Sequence, residues 1–482
     1  MNPFREIALV TALGALCTPA LANPAGHERH IANIERGLRP AQALIGSPMP
    51  VSTIYGEMRR LHVPGVSVAV LDQGQIAWAK GYGVVTPGGA AITPQTLFQA
   101  ASISKPVAAF GAMTLVQSGK LNLDGKVNAY LRSWQLPAGP DGATVSTLQL
   151  LSHTGGLSVS GFPGYPPGVP VPTLLQVLDG TAPANTAPVR ITAAPGGAWR
   201  YSGGGYTVLQ QLMADVGQQD FATAMQARVL QPLGMASSRF SQPADAAILA
   251  SAAVPHDSTG QPYPGGPSTY PELAAAGLWT TPSDLARFAL GVQAAIAGHS
   301  KVLRGEHAAR MLKPVLNGYA LGFEVSGSGV ASAFAHGGSN RGYQNYLYGF
   351  ANGGRGAVVM TNGDAGDELA RATMRAIAAE YGWPSYQTVM RRAMPIPEQM
   401  AQQMAGKYAI PGLGDFDITV KDGQPIFWIK AGQGEPLYRE FGTQFFVLSQ
   451  ELALRFDALP GATGSIVAGA FDVRFSRVPD GK

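Results

Sequence analysis

FQAASISKPVAAFGAMTLVQSG, residues 98–119, is the stretch on which the reading of this chain turns. From Ser104 its apolar residues recur at helical spacing, Pro106 suits a first helical turn, and Gly119 ends the run. Ser102 and Lys105 stand three apart at the helix start, so their side chains share a face within hydrogen-bonding reach. A serine hydroxyl becomes a nucleophile beside a base, and an amine serves once its charge is suppressed. The helix N-terminus adds a field that favours developing negative charge. A capping serine followed by a solvated lysine explains the same residues, so the rest of the sequence has to decide.

Two other clusters can carry chemistry. Tyr201-Ser202-Gly203, in WRYSGGGYTVLQ, sets a tyrosine beside a glycine cluster just ahead of a helix. His336-Gly337-Gly338-Ser339, in FAHGGSNRGYQNYLYGF, reads as a strand whose glycines let a substrate approach the backbone and its free N–H groups. Taken singly, each has a plain alternative: a packed aromatic closing a turn, and a surface histidine beside a bulge.

Around these clusters the chain reads as an α/β protein. VSVAVLDQGQIAWAKGYGVV (66–85) is a hairpin about Asp72-Gln73-Gly74, and VSTLQLLSHTGG (145–156) a short capped helix. Residues 159–190 are dense in Pro and Gly and read as one long loop. GYTVLQQLMADVG and FATAMQARVLQPLGM are amphipathic helices, and Thr281-Pro282-Ser283-Asp284 starts another. Residues 334–350 and 354–364 are neighbouring strands before a helix at 367–382. From about Ala405 short alternating strands suggest a small antiparallel barrel or sandwich.

Composition narrows the function classes. The chain has 482 residues, a net charge of +4 and 13% charged residues, with 61 Gly and 37 Pro. No Lys/Arg run marks a nucleic-acid footprint. Residues 1–22 have the form of an export signal, with Arg5, an apolar Ile7–Leu16 run and Ala20-Leu21-Ala22 before Asn23. The run is too short to span a bilayer. Cys17, the single cysteine, lies inside this leader, so the mature chain has no disulfide, thiol nucleophile or cysteine metal site. With no H-E-x-x-H and scattered histidines, neither a metal nor another cofactor is expected. No G-x-S-x-G esterase elbow is present.

Together and in this order, the three clusters resemble the serine hydrolases of the penicillin-recognising, class C β-lactamase-like superfamily, in which S-x-x-K carries the nucleophile. LLSHTGGL (150–157), FATAMQARVLQPLGM (221–235) and AAGLWTTPSDLARF (275–288) resemble its framework segments. The resemblance implies an antiparallel sheet flanked by helices plus an all-helical region over residues 23–395, with a lipocalin-like β-barrel over 396–482. It makes Ser102 the acylated nucleophile, Lys105 its proton partner, and Tyr201, as a phenolate favoured by the Lys105 ammonium, the base for acylation and deacylation. Backbone N–H groups of Ser102 and Ser339 form the oxyanion hole. Gly337, Gly338 and Gly203 line the substrate.

Two departures stand out. Gly203 replaces an asparagine that hydrogen-bonds the substrate amide, and His336 replaces a lysine that holds its carboxylate. His336 is left to give that carboxylate one hydrogen bond. His153 is expected to be a structural hydrogen-bonder.

The implied function is an exported, periplasmic or secreted, hydrolase cleaving amide or ester bonds of β-lactam-like or D-amino peptide-like small molecules through an acyl-enzyme. A carboxylesterase is the alternative. A penicillin-binding sensor or wall-binding protein that acylates without turnover is a second, supported by the missing asparagine.

Overall fold

The computed structural model describes residues 24–411, 414–429, 434–468 and 471–479. The export signal expected at 1–22, Cys17 included, lies outside them.

The hairpin forms as Gly65–Asp72 and Gln75–Gly83, with Gln73 (φ 52) and Gly74 (φ 78) supplying the left-handed turn. It joins a six-stranded antiparallel sheet in the order 75–83, 65–72, 356–361, 343–350, 333–340, 324–326. Strand Gly65–Asp72 is buried along nearly its whole length because both sheet faces are covered. Helices Pro24–Glu35, Ile54–Arg60 and Gly366–Glu380 lie on one face, over a core that includes Val66, Val68, Tyr348, Leu369 and Trp383. Helix Pro282–Ile296 covers the other, and beyond it lies the helical region built on Ser104–Gln117 and Gly203–Gly217. Every residue from Ser104 to Leu115 is buried, so the helix that carries Lys105 is a central pillar, apolar all round.

Two sequence expectations change. The loop expected at 159–190 contains a helix, Leu174–Asp179, where Thr173 caps the N-terminus and Gln176 completes the capping box. The surrounding prolines and glycines hid that short signal. The continuous helix expected at 221–235 is instead an α turn, Phe221–Met225, followed by a π turn, Gln226–Leu230.

The alternating strands after residue 405 form a nine-stranded antiparallel sheet that curls into a nearly closed barrel. Its interior is filled by Tyr408, Phe416, Phe456 and Phe475, whose ring centroids lie 5.0 to 5.7 Å apart. A lipocalin-like cup would need that space open; here it is a packed core. The barrel is tied back to the N-terminal segment. Gln42–Leu44 pairs in parallel with Val389–Arg391, and Gln42 Nε2 donates to the carbonyls of Val447 and Gln450, each at 2.8 Å.

Candidate active site

The local fold presents Ser102 through a strained bend. Phe98–Gln99 pairs with the strand Leu278–Thr280, and the Ala100 N–H donates to the Leu278 carbonyl at 2.8 Å. Ala101 then adopts φ 52, a conformation that side-chain-bearing residues avoid. It starts the tight turn Ala101–Ile103, which runs into the pillar helix. Ser104 Oγ accepts the Leu278 N–H at 3.1 Å, so the second serine of the motif is structural.

Lys105 is 2% exposed, with Nζ 2.9 Å from Ser102 Oγ and 2.8 Å from the Ala275 carbonyl. Burial pulls its pKa down to about 7. In the neutral form it donates to Ala275 and turns its lone pair to the Ser102 hydroxyl, the arrangement a base needs. The Tyr201 ring lies beneath Nζ, 4.9 Å away.

Tyr201 is held by its neighbours. Ser202 caps helix Gly203–Gly217: its Oγ accepts the Gly205 N–H at 2.9 Å and donates to the Ser158 carbonyl at 2.8 Å. The Ser202 N–H donates to His153 Nδ1 at 3.1 Å, and the His153 ring packs 4.3 Å from that of Tyr201. Burial, chiefly, holds His153 in the neutral form that this contact requires. The structural role expected for His153 is thus to position Tyr201.

The expected Tyr201 phenolate is not the resting form. Burial pushes the phenol well above its ordinary range, and its hydrogen bond with Ser102 only partly opposes that rise. Tyr201 therefore holds a proton at neutral pH, and Lys105 is the group ready to accept one.

His336 is also corrected. It is 3% exposed, and both ring nitrogens are engaged. The Gly337 carbonyl can only accept, so Nδ1 carries the proton and donates to it at 2.6 Å; Nε2 then accepts from the Tyr319 hydroxyl at 3.1 Å. Burial, with Lys105 nearby, pushes its pKa to about 3. It supplies neither a cation nor the expected hydrogen bond to a substrate carboxylate, and instead buttresses Tyr201, ring centroids 6.3 Å apart.

The glycines differ in purpose. A Cβ at Gly338 would lie 2.2 Å from the Ala100 carbonyl, so only glycine lets this strand approach the nucleophile turn. A Cβ at Gly337 would meet ordinary contacts on the opposite face, near Tyr346. Ser339 is exposed on the same strand. The neighbouring strand Glu324–Ser326 pairs only as far as Ala335, so from His336 to Asn340 the strand has no ladder partner on that side among the described residues. Gly203 is buried, and a Cβ there would lie 2.9 Å from the Phe162 ring.

Ser102, Lys105 and Tyr201 thus converge, His336 packs against Tyr201, and Gly338 brings the strand bearing Ser339 against the nucleophile turn. Ala275, Tyr319 and Phe162 were not singled out from sequence. Ala275 acts through its carbonyl, which no side-chain pattern reveals, and Tyr319 lies in an irregular segment without a motif. Among the described residues no cluster of three or more His, Cys, Asp or Glu side chains could hold a metal ion, and no helix is long and apolar enough to cross a membrane.

A family model described as Beta-lactamase matches residues 51–381. The chain belongs to the β-lactamase family. This β-lactamase-family chain is 24% identical to "Protein flp" of Staphylococcus aureus (strain COL) over 242 residues, covering 48% of the chain and 44% of that protein. It is 29% identical to "Esterase EstB" of Burkholderia gladioli over 187 residues, 37% of the chain and 47% of the esterase. The chain spans about half the length of these relatives.

Among solved structures, the octameric penicillin-binding protein homologue from Pyrococcus abyssi superposes with a TM-score of 0.57 at 20% identity, covering 88% of this chain and 98% of its own. The D-amino acid amidase from Ochrobactrum anthropi SV3, complexed with L-phenylalanine, gives 0.56 at 20% identity, covering 69% and 97%. At these identities the likeness carries the fold. Proteins similar to this chain are named as a D-amino acid amidase, a D-alanine carboxypeptidase and an esterase.

Proposed function

We propose that this chain is an exported serine hydrolase that forms an acyl-enzyme on Ser102 and takes small neutral esters in preference to β-lactams or D-amino peptides. Export rests on the form of residues 1–22. The observation that carries the chemistry is the 2.9 Å contact between Lys105 Nζ and Ser102 Oγ, with Lys105 brought to about 7 by burial.

Neutral Lys105 takes the Ser102 proton as Oγ attacks the substrate carbonyl, and the oxyanion is received by N–H groups at the Ser102 turn and the open strand edge. The Lys105 ammonium then returns that proton to the leaving alkoxide, with the Tyr201 phenol alongside as a relay. Water attacks the acyl-Ser102 ester next, Lys105 takes its proton, and the acid departs as Ser102 regains a hydrogen.

Two features favour neutral esters. His336 gives a substrate carboxylate no charge, and Gly203 gives its amide no partner. The relative named as an esterase agrees with this preference. The test is a panel of p-nitrophenyl butyrate, a chromogenic cephalosporin and a D-alanyl peptide on the purified protein and Ser102→Ala. The ester should give the highest kcat/KM by about 100-fold or more, and Ser102→Ala should lose it. A cephalosporin hydrolysed faster than the ester overturns the preference. Full activity in Ser102→Ala overturns the mechanism.

A further inference from the structure

Gly203 stands where the resemblance implies an asparagine that hydrogen-bonds the substrate amide, and the structure gives a reason for the exchange. Its backbone has no left-handed φ, so conformation does not require glycine there. Space does. A Cβ would lie 2.9 Å from Cε2 and 3.4 Å from Cδ2 of Phe162, and 3.2 Å from the Ser160 carbonyl. The ring occupies the volume into which a side chain at 203 would grow.

Phe162 is held there from both sides. Behind it, the Gly203 N–H donates to the Ser160 carbonyl at 3.0 Å and the Gly204 N–H to the Val159 carbonyl at 2.9 Å, while Val159 takes a left-handed φ of 61 to make the fit. Ahead of it, Asn185 Nδ2 donates to the Gly164 carbonyl at 2.9 Å, and Tyr165 and Thr269 exchange backbone hydrogen bonds at 2.9 and 2.8 Å. The ring is half-buried against the main core and keeps part of its surface open. The segment is a fixed wall against Gly203, which stands two residues along from Tyr201.

We propose that Phe162 is the specificity-determining residue of the acyl pocket: its ring replaces the missing amide with an apolar wall, so the site selects plain hydrocarbon acyl groups over acyl groups that carry an amide. The proposal rests on the ester reading above. An aromatic face rewards each methylene laid on it by about fourfold in kcat/KM and offers an amide N–H no acceptor, leaving it desolvated and unpaired.

The experiment measures kcat/KM for p-nitrophenyl acetate, propionate and butyrate, and for the p-nitrophenyl ester of N-acetylglycine, with wild type, Phe162→Ala, Gly203→Asn and the double variant. Wild type should gain about fourfold per methylene, and Phe162→Ala should flatten that gain to less than about twofold per methylene. Gly203→Asn alone should lose about tenfold or more on butyrate, because the ring blocks its side chain. The double variant should recover activity and shift the ratio of N-acetylglycyl to butyryl ester about tenfold toward the amide. Phe162→Gln, which keeps bulk and removes the apolar face, is read in the same way should the alanine variant not fold.

An unchanged chain-length slope in a folded, active Phe162 variant overturns the proposal while leaving the ester reading intact. So does a Gly203→Asn variant as active on butyrate as wild type. Absence of any acyl-enzyme from these esters in wild type overturns both.

Discussion

Replacing Lys105 with methionine should make the protein more stable at neutral pH while removing its chemistry. Lys105 falls from an ordinary value of 10.5 to about 7 on burial, which corresponds to about 5 kcal/mol of stability lost to the fold at pH 7. Between those two values the unfolded chain holds a proton that the folded protein has released. Stability therefore climbs as pH rises from about 7 to 10.5 and is flat in this respect below about 7. Methionine fills a similar buried volume without charge or proton. It also leaves the Ala275 carbonyl, the present partner of Nζ at 2.8 Å, unpaired at a cost of about 1–3 kcal/mol. The net gain should be about 2–4 kcal/mol at pH 7 and should vanish by about pH 10, where the burial penalty has shrunk to about 1 kcal/mol and no longer exceeds the cost of the unpaired carbonyl. Urea midpoints of wild type and Lys105→Met at pH 7 and pH 10 measure it. A variant less stable than wild type at pH 7, or an advantage of equal size at both pH values, refutes the account of Lys105 as a strained, deprotonated base.

In wild type, ester kcat/KM should rise about tenfold per pH unit below 7 and level off above it, with no histidine inflection between pH 5 and 8; a midpoint near 10 would show that Lys105 is not the base. Tyr201→Phe and Lys105→Ala should each lose about 100-fold or more in kcat, and the double variant should be little worse than either, since the two act on one proton; additive losses would separate them. Deletion after residue 395 should leave Ser102 acylation intact, followed by covalent labelling, while the urea midpoint falls because Gln42 loses its partners at Val447, Leu448 and Gln450. A folded truncated protein that no longer labels would make the barrel part of the site.

Much of the frame can be read from the sequence, and the reasons for the misses are physical. The 66–85 hairpin announces itself through alternation and a turn, and the Ser102–Lys105 pair through helical spacing beside Tyr201 and His336. Those signals are local. Protonation is not: the same Lys105 on an exposed helix would be an ammonium, and only its place in a helix buried from Ser104 to Leu115 makes it a base. His336 looks like a substrate ligand until Tyr319 and the Gly337 carbonyl, brought close by tertiary packing, engage both its nitrogens. The purpose of Gly203 depends on a ring some forty residues earlier in the chain. The helix at 174–179 was lost because Pro and Gly on either side outweigh one capping box.

The order of strands in the main sheet also bears on how the chain comes to fold. Gly65–Asp72 has Gln75–Gly83 on one side and Gly356–Thr361 on the other, so one of its edges waits nearly three hundred residues for its partner. Until that segment arrives, an apolar strand lies open along a row of unsatisfied peptide groups, ready to pair with another copy of itself. Such long-range pairing is slow to form and exposed to aggregation meanwhile. Folding of this protein therefore depends on how long residues 65–72 wait to pair with residues 356–361. Lower temperature or a holding chaperone, which keep the open edge from pairing wrongly during that interval, should raise the soluble yield more than any strengthening of the finished core.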